Sequence, residues 1–150
     1  MTLADERTAL PDKRAVEIAA ISRQRLRYWE KTDLITPDVE RVISPRNVVR
    51  LYSLPRVVEL VVASELRRQG ISLQHIRRII DHLRAQGYEA PLREVRFALS
   101  GDRVMFQHTD GSWEDSRQPF QGVMWQVIDL EEIRSRIRGR LARSGSDAGV

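Results

Sequence analysis

The segment from Ile21 to Pro37 constrains the fold of this chain most, because it has the composition of a short amphipathic helix crowded with positive charge. Ser22 can cap the first turn through its side-chain oxygen, and Leu26 and Trp29 stand three residues apart, which gives an apolar stripe. The polar side chains on the other side are Arg23, Gln24, Arg25, Arg27 and Lys31. The pattern predicts one helix over residues 22–32 that buries its stripe and presents a basic face.

The basic face has the chemistry of a DNA-recognition helix. Arginine can bond guanine bidentately in the major groove and glutamine can do the same with adenine, so we expect Arg23, Gln24 and Arg25 to lie near bases. Arginine, lysine and tyrosine side chains can hold phosphate oxygens. A solvated surface helix shows the same run of charge, and this segment alone leaves that alternative open.

The flanking residues predict the rest of a small DNA-binding fold. Residues 1–11 form a polar leader, and a first helix follows to about Ala20. Pro37 stops the second helix, and the β-branched residues on either side of the turn Ser44-Pro45-Arg46-Asn47 predict a two-stranded wing. The wing carries three basic residues: Arg41, Arg46 and Arg50.

Two more helices are predicted after the wing. The third begins at its cap, Ser53, and ends at Gly70, and the fourth runs from Ser72 to Gly87. Apolar residues recur in the fourth helix at spacings of three and four. Four helices and a β-wing make a winged helix-turn-helix over residues 12–87.

Three motifs in register resemble a known family. They are Leu-Arg-Tyr-Trp-Glu-Lys-Thr-Asp-Leu-Ile-Thr-Pro (26–37), Arg-Leu-Tyr-Ser (50–53) and Leu-Arg-Arg-Gln-Gly-Ile-Ser-Leu-Gln-His-Ile-Arg-Arg-Ile-Ile (66–80). Their order and spacing are similar to those in the DNA-binding domain of MerR-type transcriptional regulators. The resemblance implies that Trp29 lies in the core and that Arg27, Tyr28 and Arg50 contact phosphate. Where the family more often has Gly-Tyr-Arg, this chain has Asn47-Val48-Val49-Arg50.

Strand-like alternation replaces helical periodicity after Gly87. Residues 88–143 predict a small β-rich segment with turns at Ser100-Gly101-Asp102 and Asp110-Gly111, followed by an amphipathic helix from Asp129 to about Arg143. Residues 144–150 are predicted to be disordered. Four aromatic residues fall in the β-rich segment and are expected in its core, with a ligand pocket as the alternative: Phe97, Phe106, Trp113 and Trp125. The predicted fold class of the whole chain is α+β.

Composition and charge narrow the function. The net charge is +4, with +5 on residues 1–87 and −1 on residues 88–150, so the basic excess belongs to the predicted DNA-binding part. The chain has no cysteine, which excludes a sensor based on thiols. No signal peptide or membrane-spanning stretch is present in the sequence, and we expect a cytoplasmic protein.

The histidines and carboxylates predict no metal, cofactor or catalytic site. His75 and His82 are seven residues apart on one helix, about 10 Å along its axis, too far to share a metal, and a surface or interface role is favoured. His108 has no neighbouring histidine or cysteine in the sequence. The cluster of His108, Asp110, Glu114 and Asp115 surrounds a predicted turn, where such residues are expected for conformational reasons. The chain is therefore not predicted to be an enzyme.

The sequence favours a transcriptional regulator that binds double-stranded DNA as a homodimer on a palindromic operator. The β-rich second half resembles the corresponding part of MerR-like antitoxins paired with PIN-like ribonuclease toxins. The first alternative is therefore an antitoxin that neutralises such a toxin and regulates its own operon. The second is an architectural DNA binder with little sequence preference.

Overall fold

A computed structural model describes residues 9–100, 103–115 and 126–148. Within these ranges the chain forms six helices: α1 (Asp12–Ala19), α2 (Arg23–Lys31), α3 (Leu54–Arg68), α4 (Leu73–Ala85), α5 (Pro91–Glu94) and α6 (Leu130–Ala148). The strands of the same ranges are β1 (Leu10–Pro11), β2 (Val39–Ser44), β3 (Asn47–Tyr52), β4 (Arg96–Ser100), β5 (Arg103–Gln107), β6 (Trp113–Asp115) and β7 (Gln126–Val127). The prediction of a mixed fold of helices and strands is confirmed.

Polar side chains cap the helices where the sequence predicts them. The Oγ atoms of Ser22, Ser53 and Ser72 each accept a hydrogen bond from the backbone N–H three residues later, at 3.1, 3.3 and 3.1 Å. Oδ1 of Asp129 accepts from two N–H groups in the first turn of α6. Because these N–H groups have no partner within the helix, the caps determine where each helix begins.

A short turn over residues 20–22 joins α1 to α2. Ala20 has a left-handed backbone (φ 57°), and the N–H of Ile21 donates to the carbonyl of Val16 at 3.2 Å, which ends α1. A second left-handed residue, Asp33 (φ 59°), follows α2, and the N–H of Leu34 donates to the carbonyl of Trp29 at 2.8 Å. These bonds satisfy carbonyls that the helix ends leave unpaired.

The first sheet is antiparallel with the strand order β1-β3-β2. The chain reverses between Ser44 and Asn47, and Ile43 is an extra residue in β2, because Val42 pairs with Val48 and Ser44 with Asn47. The predicted leader is shorter than residues 1–11. Leu10 is buried and pairs with Tyr52, so the chain before α1 adds a strand to the hairpin instead of staying in solvent.

The second sheet is antiparallel with the order β6-β5-β4-β7. Phe97 and Phe106 face each other across β4 and β5 and are buried, so both are core residues. Trp113 is partly exposed at the start of β6. Gly101, Asp102 and the segment 116–125, with Trp125, lie outside the described residues.

The chain forms two compact units, one of residues 1–61 with 133–150 and one of residues 62–132. This division does not follow the domain boundary predicted near Gly87, because α4 packs with the second sheet: the ring of His82 contacts that of Phe106. Helix α6 continues past Arg143 into the segment predicted to be disordered. None of the helices in the described ranges has the length and apolar character needed to cross a membrane.

Candidate nucleic-acid interface

The two faces of α2 have opposite environments. Leu26 and Trp29 are buried, with 0% and 1% of their surface exposed, whereas Tyr28, next to Trp29, is 55% exposed. Neighbouring positions on a helix lie about 100° apart, so only one of two adjacent aromatic residues can enter the core. The prediction that Trp29 is the core residue is confirmed, and Tyr28 lies at the surface beside the basic residues.

Besides Arg23 and Tyr28, five candidate DNA-binding residues are exposed to solvent: Gln24, Arg25, Lys31, Arg41 and Arg46. The first three lie on α2, Arg41 lies on β2, and Arg46 lies in the turn between β2 and β3. Within the described ranges, no side-chain hydrogen bond or ion pair joins any of the five to another residue. Their charged and polar groups are therefore available to a ligand without first breaking an internal contact.

The other three arginines of the predicted site are held by carboxylates. Oδ2 of Asp12 accepts from Nη2 of Arg23 at 3.1 Å and also from Nη2 of Arg27. Nη1 of Arg27 donates to Oε2 of Glu30 at 3.4 Å, and Nε of Arg50 donates to Oε1 of Glu30 at 2.8 Å. The five side chains form a continuous chain of alternating charge across α1, α2 and β3.

This ion-pair chain corrects one expectation. The sequence predicts that Arg23 and Arg27 are left to the solvent or a polyanion, but only Arg23 is well exposed, with 62% of its side chain accessible. The side chains of Arg27 and Arg50 are 36% and 19% accessible. A partly buried charge needs a partner of opposite sign, and Asp12 and Glu30 supply it.

Burial and the charges of the ion-pair chain shift the pKa of Asp12, which belongs to the chain, and of Tyr52, which does not. Partial burial raises the pKa of Asp12, but the hydrogen bonds from Arg23 and Arg27 outweigh this effect and hold that pKa below its usual value, so the carboxylate stays ionised. Burial raises the pKa of Tyr52, and the Glu30 carboxylate raises it further. The hydroxyl of Tyr52 is buried and has no hydrogen-bond partner in the described structure.

A groove of about 450 Å³ lies between α2 and the β2–β3 hairpin. Four arginines and one carboxylate line it, together with other residues of the hairpin: Arg23, Arg27, Arg46, Arg50 and Asp12. The excess of positive charge, with guanidinium N–H donors on both walls, suits an anion such as a phosphate group.

Sequence reasoning missed Asp12 and Glu30. Glu30 follows Arg27 by three residues, and this spacing brings two side chains together on a helix. The ion pair between them could therefore have been predicted from the sequence. Asp12 lies 15 residues from Arg27 and on a different helix. No periodic pattern connects two such positions, and only the packing of α1 against α2 brings them together.

A second polar cluster lies in the other compact unit. Oε1 of Glu114 is 2.8 Å from Nε2 of His82, Oε2 is 2.7 Å from Nε2 of His108, and the hydroxyl of Tyr88 is 3.1 Å from Nδ1 of His108. His75, for which a surface or interface role is predicted, is instead buried. No group of three or more histidine, aspartate or glutamate residues in the described ranges is arranged to hold a metal ion.

Glu114 makes the stability of this unit dependent on pH. Partial burial raises its pKa, but the hydrogen bonds from His108 and His82 outweigh this and keep it below the ordinary value of 4.5. A carboxylate with a lowered pKa stabilises the fold above that ordinary value and loses this contribution as the pH falls through the folded-state pKa. We expect Glu114→Gln to cost under about 1 kcal/mol at pH 7, because the pairs are partly exposed.

The difference between Glu114→Gln and the unsubstituted protein should shrink below about pH 4.5. Urea unfolding of both proteins between pH 3 and pH 7 measures this difference. A difference that stayed constant over the whole range would contradict the assigned role of the carboxylate.

Comparison with known proteins agrees with the geometry of α1, α2 and the hairpin. Residues 13–83 match the family model described as MerR HTH family regulatory protein. The similarity to the MerR-type helix-turn-helix is therefore confirmed for this segment. The family and the relatives below are described as regulatory proteins, in agreement with the prediction that this chain is not an enzyme.

Relatives in two mycobacterial species match part of the chain. An HTH-type transcriptional regulator of Mycobacterium bovis and two of Mycobacterium tuberculosis are each 35% identical to it over 85 residues. The matched region is 57% of this chain and 37% of each relative. The chain thus matches little more than a third of the length of these relatives.

Proposed function

We propose that this protein is a transcriptional regulator that binds a specific site on double-stranded DNA. In this proposal residues 12–87 are a winged helix-turn-helix: α2 enters the major groove, and the β2–β3 hairpin is the wing. The observation that carries the proposal is the solvent-exposed surface of α2, on which Gln24, Arg25 and Lys31 have no partner among the described residues. A helix anchored on one side and cationic on the other suits a groove lined by phosphates.

The nine candidate residues have different roles in this proposal. Arg23, Gln24 and Arg25 come from the first turn of α2 and lie near base edges, where arginine and glutamine form bidentate bonds. The remaining residues contact phosphates and fix the register on the duplex: Arg27, Tyr28, Lys31, Arg41, Arg46 and Arg50. Arginine has five N–H donors, so the arginines bonded to Asp12 or Glu30 keep donors for a phosphate.

We further propose that the protein binds as a homodimer on a palindromic operator. Dimeric helix-turn-helix proteins place two recognition helices in successive turns of the major groove, so the protein and its site share two-fold symmetry. The amphipathic helix α6 and the second sheet would supply the dimer surface. Ile133 and Ile137 are already buried within the chain, so the dimer contacts of α6 would come from its other side.

Selection of bound sequences from a random duplex pool tests the proposal. The full chain should enrich one inverted repeat, and the affinity for the enriched site should exceed that for random duplex by at least about 10³-fold at fixed salt. Binding without enrichment would show an architectural DNA binder instead. The absence of any complex at low ionic strength would overturn DNA binding altogether.

The antitoxin role remains a separate proposal, resting on the β-rich segment that follows the helix-turn-helix in the predicted order. It would add a protein partner bound by residues 88–143. Expression of the chain together with the gene adjacent to its own tests this role. A stable complex in which a ribonuclease loses its activity would support it, and an unaffected ribonuclease would contradict it.

A further inference from the structure

We propose that Asp12 is a positioning residue that determines how strongly the interface distinguishes its operator from other DNA. The inference rests on the proposed DNA-binding function and deepens it. Asp12 contacts no nucleic acid in this proposal and acts only through Arg23 and Arg27.

The contacts of Asp12 orient both arginines. Its Oδ2 atom accepts from Arg23 and from Arg27, which lie one helical turn apart on α2, while its Oδ1 atom accepts from the backbone N–H of Lys13 at 2.8 Å. The Asp12 side chain is only 15% accessible, so its position is set by packing at the start of α1. A carboxylate held at both oxygens fixes the directions of the two guanidinium groups.

Each arginine keeps donors for DNA while it is bound to Asp12. Arg23 uses one N–H group for this contact and is well exposed, so its other donors can reach a base edge or a phosphate. An orientation set before binding lowers the entropy lost when the complex forms, but only for DNA whose acceptors match that orientation. The contact thus favours the correct sequence.

The charge of Asp12 also acts against binding to the wrong sequence. A carboxylate beside two guanidiniums repels an approaching phosphate and offsets part of their attraction. A unit charge at contact distance changes affinity by roughly fivefold even in water. In nonspecific complexes both arginines bind phosphates, which then lie close to Asp12, whereas on the operator Arg23 faces a base edge and fewer phosphates lie beside the carboxylate. The repulsion is therefore larger for random DNA than for the operator.

Asp12→Asn tests the inference because it removes the charge, keeps the size, and still permits a bond to the Lys13 N–H. We expect the affinity for random duplex to rise about fivefold. The slope of log affinity against log salt concentration should become more negative by about 0.9 for each arginine that leaves residue 12 and binds a phosphate. The affinity for the selected operator should not rise, so the specificity ratio should fall about fivefold or more.

Asp33→Asn is the matched control. Like Asp12→Asn, it removes one negative charge from the compact unit that contains residues 1–61. The Asp33 side chain is exposed and has no bonded partner in the described structure. Asparagine tolerates the left-handed backbone at this position, so the fold is preserved. We expect a specificity ratio close to that of the unsubstituted protein. Asp12→Glu, which restores the charge, should recover much of the lost ratio.

Three results separate the explanations. Unchanged specificity and salt dependence in Asp12→Asn, with normal DNA binding by the unsubstituted protein, would overturn the role of Asp12 alone. Equal changes in Asp12→Asn and Asp33→Asn would also overturn it, because general electrostatics would then explain both. Failure of the unsubstituted protein to bind any duplex would instead refute the proposed function. Partial unfolding of a variant would lower its affinity for the operator and for random duplex by the same factor, so it could not by itself change the specificity ratio.

Discussion

Replacing Trp29 by alanine is expected to lower the free energy of unfolding by about 3–5 kcal/mol. The indole is 1% exposed and lies on the same side of α2 as the fully buried Leu26. Removing it leaves a cavity beneath α2 and deletes the largest buried side chain of that helix. Denaturant unfolding followed by circular dichroism measures the loss, and DNA binding should fail under conditions in which the variant is unfolded.

Tyr28→Ala is the control for Trp29→Ala. The tyrosine ring is adjacent in the chain but 55% exposed, so its removal should change stability by no more than about 0.5 kcal/mol. If Tyr28 contacts phosphate as proposed, the same substitution weakens binding to all duplexes. Equal destabilisation by the two substitutions would contradict the division of α2 into a buried and an exposed side.

Arg25→Ala should have the largest effect on recognition of the operator. The Arg25 side chain is exposed in the first turn of α2 and has no bonded partner among the described residues. A bidentate contact to a base contributes about 1–3 kcal/mol to the binding free energy. Losing this contact should therefore raise the dissociation constant for the operator roughly 5- to 150-fold. Repeating the duplex selection with the variant should show relaxed preference at one position in each half-site.

Arg46→Ala separates base recognition from phosphate contact. Arg46 lies in the turn of the hairpin and is exposed. Its loss should weaken binding to all sequences by similar factors and lower the salt slope by about one, without changing the selected sequence. If Arg46→Ala altered base preference while Arg25→Ala did not, the assignment of α2 to the major groove would be wrong.

Arg23 and Arg50 are less suitable for this test because both are joined to carboxylates. Arg50→Ala would remove the contact between β3 and Oε1 of Glu30 and leave that carboxylate with Arg27 as its remaining ion-pair partner. The measured loss would then combine a change in the protein with a change in the interface. Arg25 and Arg46 avoid this ambiguity.

Local features of the fold could be predicted from the sequence because their causes lie within a few residues. Ser22, Ser53 and Ser72 cap the helices at the predicted places, since a cap requires only a hydroxyl three residues before an N–H group. The burial of Leu26 and Trp29 follows from helical periodicity in the same way.

Contacts between distant segments could not be predicted. Asp12 with Arg27, and His82 with Glu114, join residues 15 and 32 positions apart, and these contacts depend on how separate elements pack. For the same reason the sequence suggested freely exposed arginines where the structure has an ion-pair chain. The exposure of Gln24 and Lys31 was easier to predict, because their positions on α2 lie opposite the apolar stripe.

The extra residue in β2 has a consequence for solubility. β2 is the outer strand of its sheet, and an outer strand can pair with a second molecule through its unsatisfied backbone groups. Ile43 interrupts the regular ladder just where two apolar side chains, Val42 and Ile43, are most exposed. A bulge increases the local twist of a strand, which makes the edge of β2 less suitable for pairing with another strand. Glu40 and Arg41 add charge beside the two apolar residues. We therefore expect the departure from regular pairing at the hairpin tip to make pairing of β2 with a second molecule less favourable.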